Sequence, residues 1–354
     1  MPLLEANYYA LWLGKQTAKG TANTAPSKRL IQVGGGLDSA RDDGQENYSD
    51  LTKYGTSTDW VNSLLGSGEP IVEATPEEMA YLLWLFHGAE TVTAVTGPPT
   101  ASQHRFQPTT SLGFYFTVFT RVGSTNIIKR QSNDCIMSRI AFEASSANKA
   151  ARLTARIVSL DPGAIYTTDP TQALPTDRPF LHTDLALNAG STSDGSMVID
   201  GVTFRGITQS SLVIDDAWEP VYGDDSRPYD WVQGNPSVTV GATLLLDSVG
   251  LGQWNRLIYG TTSPTVGTKP LRAIPALGSL VATMRQRDSA GTFNGRELII
   301  NVPGVKWTPP PAPAPAPDGG ATEIALAGEM RTITSTPAYT IDVRAAATVV
   351  AFTT

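Results

Sequence analysis

Cysteine is almost missing from this chain: Cys135 stands alone among 354 residues. A lone cysteine excludes an internal disulfide and any metal site built from several thiolates. Histidine is scarce too, with His87, His104 and His182 far apart and in no metal-ligand spacing. Charged residues make up only 17% of the chain, below the usual quarter, and their balance is −7. A protein that reads nucleic acid needs a basic face to neutralise phosphates, so that class is disfavoured. No run approaches the ~18–20 apolar residues of a membrane span. Residues 1–13 lack the basic start and long apolar core of a secretion signal. The sequence predicts a soluble protein made in a cytoplasm, with no membrane partner.

What is present points to β structure. The 32 glycines and 25 prolines supply turns, and most apolar runs are short and rich in Val, Ile, Thr and aromatics. At 41% hydrophobic the chain can bury two cores of ordinary size. A pattern also recurs at a spacing of about 160–175 residues. An amphipathic segment (75–87), a strand (113–118) and a strand pair from 138 are echoed by 250–259, 279–284 and a strand pair from 297. Few identities accompany the echo, so it is a repeat of pattern. The expected organisation is an N-terminal arm over 1–29, a first domain over 30–160, a linker over 161–195 and a second domain over 196–354.

The arm begins with Tyr8, Tyr9 and Trp12 and continues in small polar residues. It reads either as an extended segment that docks on a partner or as a first strand of its own domain. The strand 30–33 leads into a long polar excursion over 37–68, and the strand 207–214 leads into another over 215–236. Both excursions hold paired aspartates and interleaved aromatics, a composition suited to contact loops or to aromatics folded back on their own domain. Thr75, Pro76 and Glu78 form a helix start and Gly88 a stop, so a helix is predicted over 76–88. It is apolar nearly all round, which predicts burial on more than one side. Strands 138–144 and 150–158 read as a hairpin, matched in the second half by 297–302 and 322–327. The Pro-Ala stretch within 308–318 favours polyproline II and reads as a stiff protrusion on that second hairpin.

No set of residues assembles a nucleophile, a base and an oxyanion site, so no enzyme and no cofactor are expected. Gly14-Lys15-Gln16-Thr17 lacks the upstream glycine of a phosphate loop, since Tyr9 stands there. Asp42-Asp43 and Asp224-Asp225 miss the calcium-loop pattern and read as solvated acids. Cys135 reads as a small buried hydrophobe.

The stretch Leu11-Trp12-Leu13-Gly14-Lys15-Gln16-Thr17-Ala18-Lys19-Gly20-Thr21-Ala22 resembles the start of the major tail tube proteins of long, non-contractile-tailed bacteriophages, the siphophage type. The order strand, long loop, strand, helix, strand, hairpin is similar to their domain. The resemblance implies a mainly β fold of two tandem tail-tube-like β-sandwich or half-barrel domains, each with one flanking α-helix. It implies a virion structural protein whose stacked rings form the conduit for DNA ejection. Partners would be further copies of itself, the tape measure protein and the tail terminator and tip proteins, with double-stranded DNA passing through unbound. Two units in one chain imply trimeric, pseudo-hexameric rings. Carried onto this chain, the ring-stacking and interface candidates are Trp12, Lys15, Asp42, Asp43, Tyr48, Tyr54, Trp60, Trp84, Trp218, Tyr222, Asp224, Asp225 and Trp231. A rival reading is a two-domain β-sandwich adhesin or carbohydrate-binding module, in which Trp60, Trp218 and Trp231 would stack on sugars.

Overall fold

The computed structural model describes residues 9–47, 56–95, 101–109, 112–123, 127–185, 195–204, 206–223, 228–271, 277–311, 313, 322–331 and 337–346. It is mainly β, with a large antiparallel sheet. The first half contains β1 (Tyr9–Lys15), β2 (Lys28–Leu30), β3 (Gln32–Gly34), β4 (Leu37–Asn47), β5 (Thr56–Gly68) and β6 (Ile71–Glu73). It continues with α1 (Pro76–His87), β7 (Thr91–Val95), β8 (Ala101–Phe106), β9 (Phe116–Val122), β10 (Ile128–Ser145) and β11 (Arg152–Ala164). A short helix, α2 (His182–Leu185), precedes the second half. There follow β12 (Ser196–Ile199), β13 (Val202–Phe204), β14 (Ile207–Asp215), β15 (Trp218–Tyr222), β16 (Pro228–Gln233) and β17 (Ser237–Leu245). Last come α3 (Ser248–Tyr259), β18 (Gly278–Arg287), β19 (Phe293–Thr308), β20 (Glu323–Met330) and β21 (Thr340–Ala346).

The pairings of the two halves repeat one another. In the first half the neighbours run β2, β1, β9, β10, β11, β6, β3. In the second they run β13, β12, β18, β19, β20, β17, β14. Because β2 and β3 are separated only by Ile31, the first row returns to its own start. A hairpin follows β3 (β4·β5) and another follows β14 (β15·β16). Irregularities also recur: a register shift lies between Gln32 and Gly34 of β3, and between Ile207 and Gln209 of β14.

The helices occupy matching places, with α1 between β6 and β9 and α3 between β17 and β18. Thr75 caps α1 by accepting from the Glu78 N–H at 3.2 Å, and its own hydroxyl donates to Glu78 Oε2 at 3.0 Å. This N-cap contributes about 1 kcal/mol, although the Thr75 N–H donates to the Glu73 carbonyl and not to the Glu78 side chain. Asp247 caps α3, accepting from Val249 and Gly250. Both helices stop at a glycine in the left-handed region, Gly88 and Gly260, where a side chain would be strained. Helix α1 is buried almost all round, from Met79 to His87, whereas α3 buries only Gly250, Gln253 and Leu257.

The structure bears on four sequence expectations. Of the two readings of residues 1–29, the described part fits a first strand of its own domain rather than an extended arm: it holds β1 and β2, and β1 pairs along its whole length with β9. Leu11 and Leu13 are fully buried, and this burial explains why the segment lies in the sheet. The excursions 37–68 and 215–236 are hairpins, because pairing with themselves satisfies their backbones without many apolar residues. Residues 297–301 pair with β21, and β19 meets β20 only at 305–308. Finally, part of the segment 161–195 is tied down: Phe180 is fully buried and bonded through its backbone to Ala74 and Ala151.

Candidate assembly interface

Among the described residues, the two halves of the chain meet at a junction. Its centre is a ladder in which β10 pairs antiparallel with β14, from Arg139 opposite Asp215 to Ser145 opposite Gln209. Each side of this ladder belongs to the repeated sheet, so the halves are joined edge to edge. A second ladder, β8 against β21, runs from Phe106 opposite Ile341 to Ala101 opposite Ala346. The strand β8 therefore extends the second half's sheet although it follows α1 in the first. Across it, Arg105 makes a two-pronged ion pair with Asp342 at 2.7 and 2.8 Å. Behind it, His87 Nε2 meets Tyr339 Oη at 2.9 Å, and burial lowers the imidazole to about 4, so the ring is neutral.

A third contact comes from the β15·β16 hairpin. Trp231 and Trp218 join Ile136, Val158 and Leu160 in a small apolar cluster with Leu65, Leu112 and Tyr115. Lys19 reaches the same hairpin, 3.2 Å from Asp230, a pair exposed enough to contribute little. Asp216, at the foot of the β10·β14 ladder, donates its N–H to the Ser138 carbonyl at 2.9 Å. Burial raises its carboxyl to about 6.

The candidate residues divide accordingly. Trp218 and Trp231 lie in the junction, while Tyr222 is exposed on β15. Trp12 is buried with Phe119 and Tyr166, and the Arg29 guanidinium lies 5.4 Å from its ring centre. Trp84 belongs to the main core, packed 4.8 Å from Phe114 between ring centres. Lys15 places its ammonium 3.8 Å from the Phe114 ring centre, and burial lowers its pKa. Asp42, Asp43 and Trp60 are placed on the β4·β5 hairpin, opposite Ser63, Val61 and Gly44, and their side chains lie outside the described residues. Tyr48, Tyr54, Asp224 and Asp225 lie outside the described residues.

The motif around Gly14 is the end of β1 and the turn that follows it. A Cβ on Gly14 would come 2.7 Å from Pro26 Cα, so only glycine fits there. Asn23 donates its side-chain amide to the Lys15 carbonyl at 2.6 Å, and Gly20 N–H donates to Asp134 at 2.7 Å. The sequence reading missed β7 and β8. Their signal was Gly97-Pro98-Pro99 directly after the β-prone run Thr91-Val92-Thr93-Ala94-Val95-Thr96. Among the described residues, no group of three or more His, Cys, Asp and Glu side chains gathers to hold a metal. Compared with models of known protein families and with curated proteins, the chain matches none.

Proposed function

We propose that this protein is a virion structural subunit, a tail tube protein of the siphophage type, that polymerises through stacked rings into a hollow conduit for DNA. The observation that carries this reading is the doubled sheet: one set of pairings occurs twice and its two copies meet edge to edge through β10·β14. A unit that pairs with its own likeness once, head to tail, has the geometry to do so again around an axis. Two tandem tube domains per chain give rings of three chains with pseudo-sixfold symmetry. The resemblance of Leu11–Ala22 supports the same reading, and the acidic balance of −7 suits a channel that DNA crosses without adhering. The tape measure protein would fill the channel before DNA, and terminator and tip proteins would close its ends.

A sugar-binding role for Trp231 has less support, since the ring is only 8% exposed and packed in the junction. The test is assembly. Purified protein, alone or seeded by a tail initiation complex, is expected to form stacked rings in electron micrographs. A protein that stays monomeric in light scattering under every assembly condition would contradict the proposal.

A further inference from the structure

The ladders match the halves residue for residue. Leu153 pairs with Val72, which pairs with Gln32; Ile324 pairs with Leu244, which pairs with Ile207. Leu153 and Ile324 are thus counterparts, and so, three residues on, are Arg156 and Ala327. Their partners Arg139 and Thr308 then correspond. Independently, β10 shifts register against β9 between Ser132 and Cys135, and β19 shifts against β18 between Val302 and Val305. Cys135 pairs with Ser159 and Val305 with Met330, which makes Cys135 and Val305 counterparts.

Following that match exposes an asymmetry. Gln131 pairs with Ala164, and its counterpart Asn301 pairs with Thr340. The next residues, Ile165 and Ile341, therefore hold the same place in the two halves. Ile341 is 1% exposed, opposite Phe106 of β8, whereas Ile165 is 85% exposed. Leu298 is fully buried, and its counterpart Ile128 is 44% exposed. The first half leaves bare what the second half has covered.

The cover is the β7·β8 hairpin, which follows the α1 cap at Gly88. Its counterpart by position is 261–277, which follows the α3 cap at Gly260. That segment carries Val266, fully exposed, together with the exposed Leu271 and Leu277. We propose that Val266, Leu271 and Leu277 of one copy cover Ile127, Ile128 and Ile165 of a second copy of this chain. In the same contact, 308–311 lies beside the outer edge of β3 and β4, an edge no strand occupies among the described residues. The contact repeats between copies what the halves do within one chain, and it rests on the ring reading above.

The proline stretch gives this contact its direction. Ser146 N–H donates to the Thr208 carbonyl and Asp216 N–H to the Ser138 carbonyl, so Ile140, Phe142 and Ala144 turn their backbone polar groups toward β14. Their counterparts are Pro309, Pro311 and Pro313, which have no N–H. This edge can accept hydrogen bonds but cannot donate them. Two such edges cannot zip together, whereas the β3 and β4 edge supplies donors, so head-to-tail contact is selected over like-with-like pairing.

The test uses the full chain. Arg139 faces Asp215 in the internal ladder, and the matching positions between copies are Thr308 and Ala40. With Thr308→Cys and Ala40→Cys together, oxidised rings should run as covalent trimers on a non-reducing gel; neither single variant should. Cys135 is fully buried and will not interfere. As a second variant, Ile165→Lys should lose ring formation at an unchanged melting temperature, because the residue is exposed in the single chain. Rings that form without the cross-link, or that form normally with Ile165→Lys, overturn this contact and leave the tube reading standing. A wild-type chain that never assembles overturns both.

Discussion

Glu78 shows at the residue scale how a helix cap becomes a pH-dependent joint. Burial raises its carboxyl to about 7, against hydrogen bonds from Ile31 and Thr75 that favour the charged form. A raised folded pKa means the folded chain holds the proton more tightly than the unfolded one. That stabilisation is full below about 4.5 and is lost as pH rises through about 7. His87 acts in the opposite direction: its pKa is lowered, so its contribution is lost as pH falls from 6.5 toward 4. Comparing a variant with wild type isolates one group. Glu78→Gln keeps an acceptor for Ile31 and removes the charge, so its melting temperature relative to wild type should climb between pH 4.5 and 7. A constant difference across that window would contradict the assignment. Trp231→Ala should cost about 3 kcal/mol in urea unfolding, because it opens a cavity in the junction cluster. A change within about 0.5 kcal/mol would mean that the hairpin does not hold the halves together.

Elements were legible where local chemistry named them and obscure where the partner decided. Thr75, Pro76, Glu78 and Gly88 mark both ends of a helix, and α1 spans Pro76–His87. The run Ile207 to Ile214 alternates, and β14 covers Ile207–Asp215. The hairpin at 138–158 was also legible, since a short turn leaves β11 as the nearest partner for β10. The equivalent pair in the second half was not, because alternation labels two faces and does not name a neighbour. There β21 takes the edge of β19 at 297–301, and β20 keeps only 305–308. The same limit hid the junction: nothing in Arg139–Ser145 announces β14 as its second neighbour. The burial of Trp12 was equally hidden, since an aromatic ring serves a core or a contact patch alike. Pro309–Pro311 follow β19 where a ladder would continue, and the Trp254 indole donates to the Pro311 carbonyl at 3.1 Å; the rest of the Pro-Ala stretch, read as a protrusion, lies outside the described residues apart from Pro313. Restoring the donors with Pro309→Ala, Pro311→Ala and Pro313→Ala should lower the concentration at which copies associate in light scattering. An unchanged concentration dependence would show that the prolines do not guard this edge.

Across the whole molecule, the sheet is built twice and each copy meets the other by a different edge. Inside the chain the meeting is permanent, made of two ladders, an aromatic cluster and the Arg105–Asp342 pair. In the contact proposed between copies, one edge lacks donors at Pro309 and Pro311. The doubling itself was visible in the sequence as a pattern, but its edge-to-edge closure depends on long-range pairing that no local stretch encodes. The decisive measurement is cryo-electron microscopy of assembled protein viewed down its axis. Closed rings of three chains, with six similar lobes around a central hole, are expected. Solid particles without a channel, or closed dimers with a twofold axis, would contradict the proposal that two like halves per chain build a hollow cylinder.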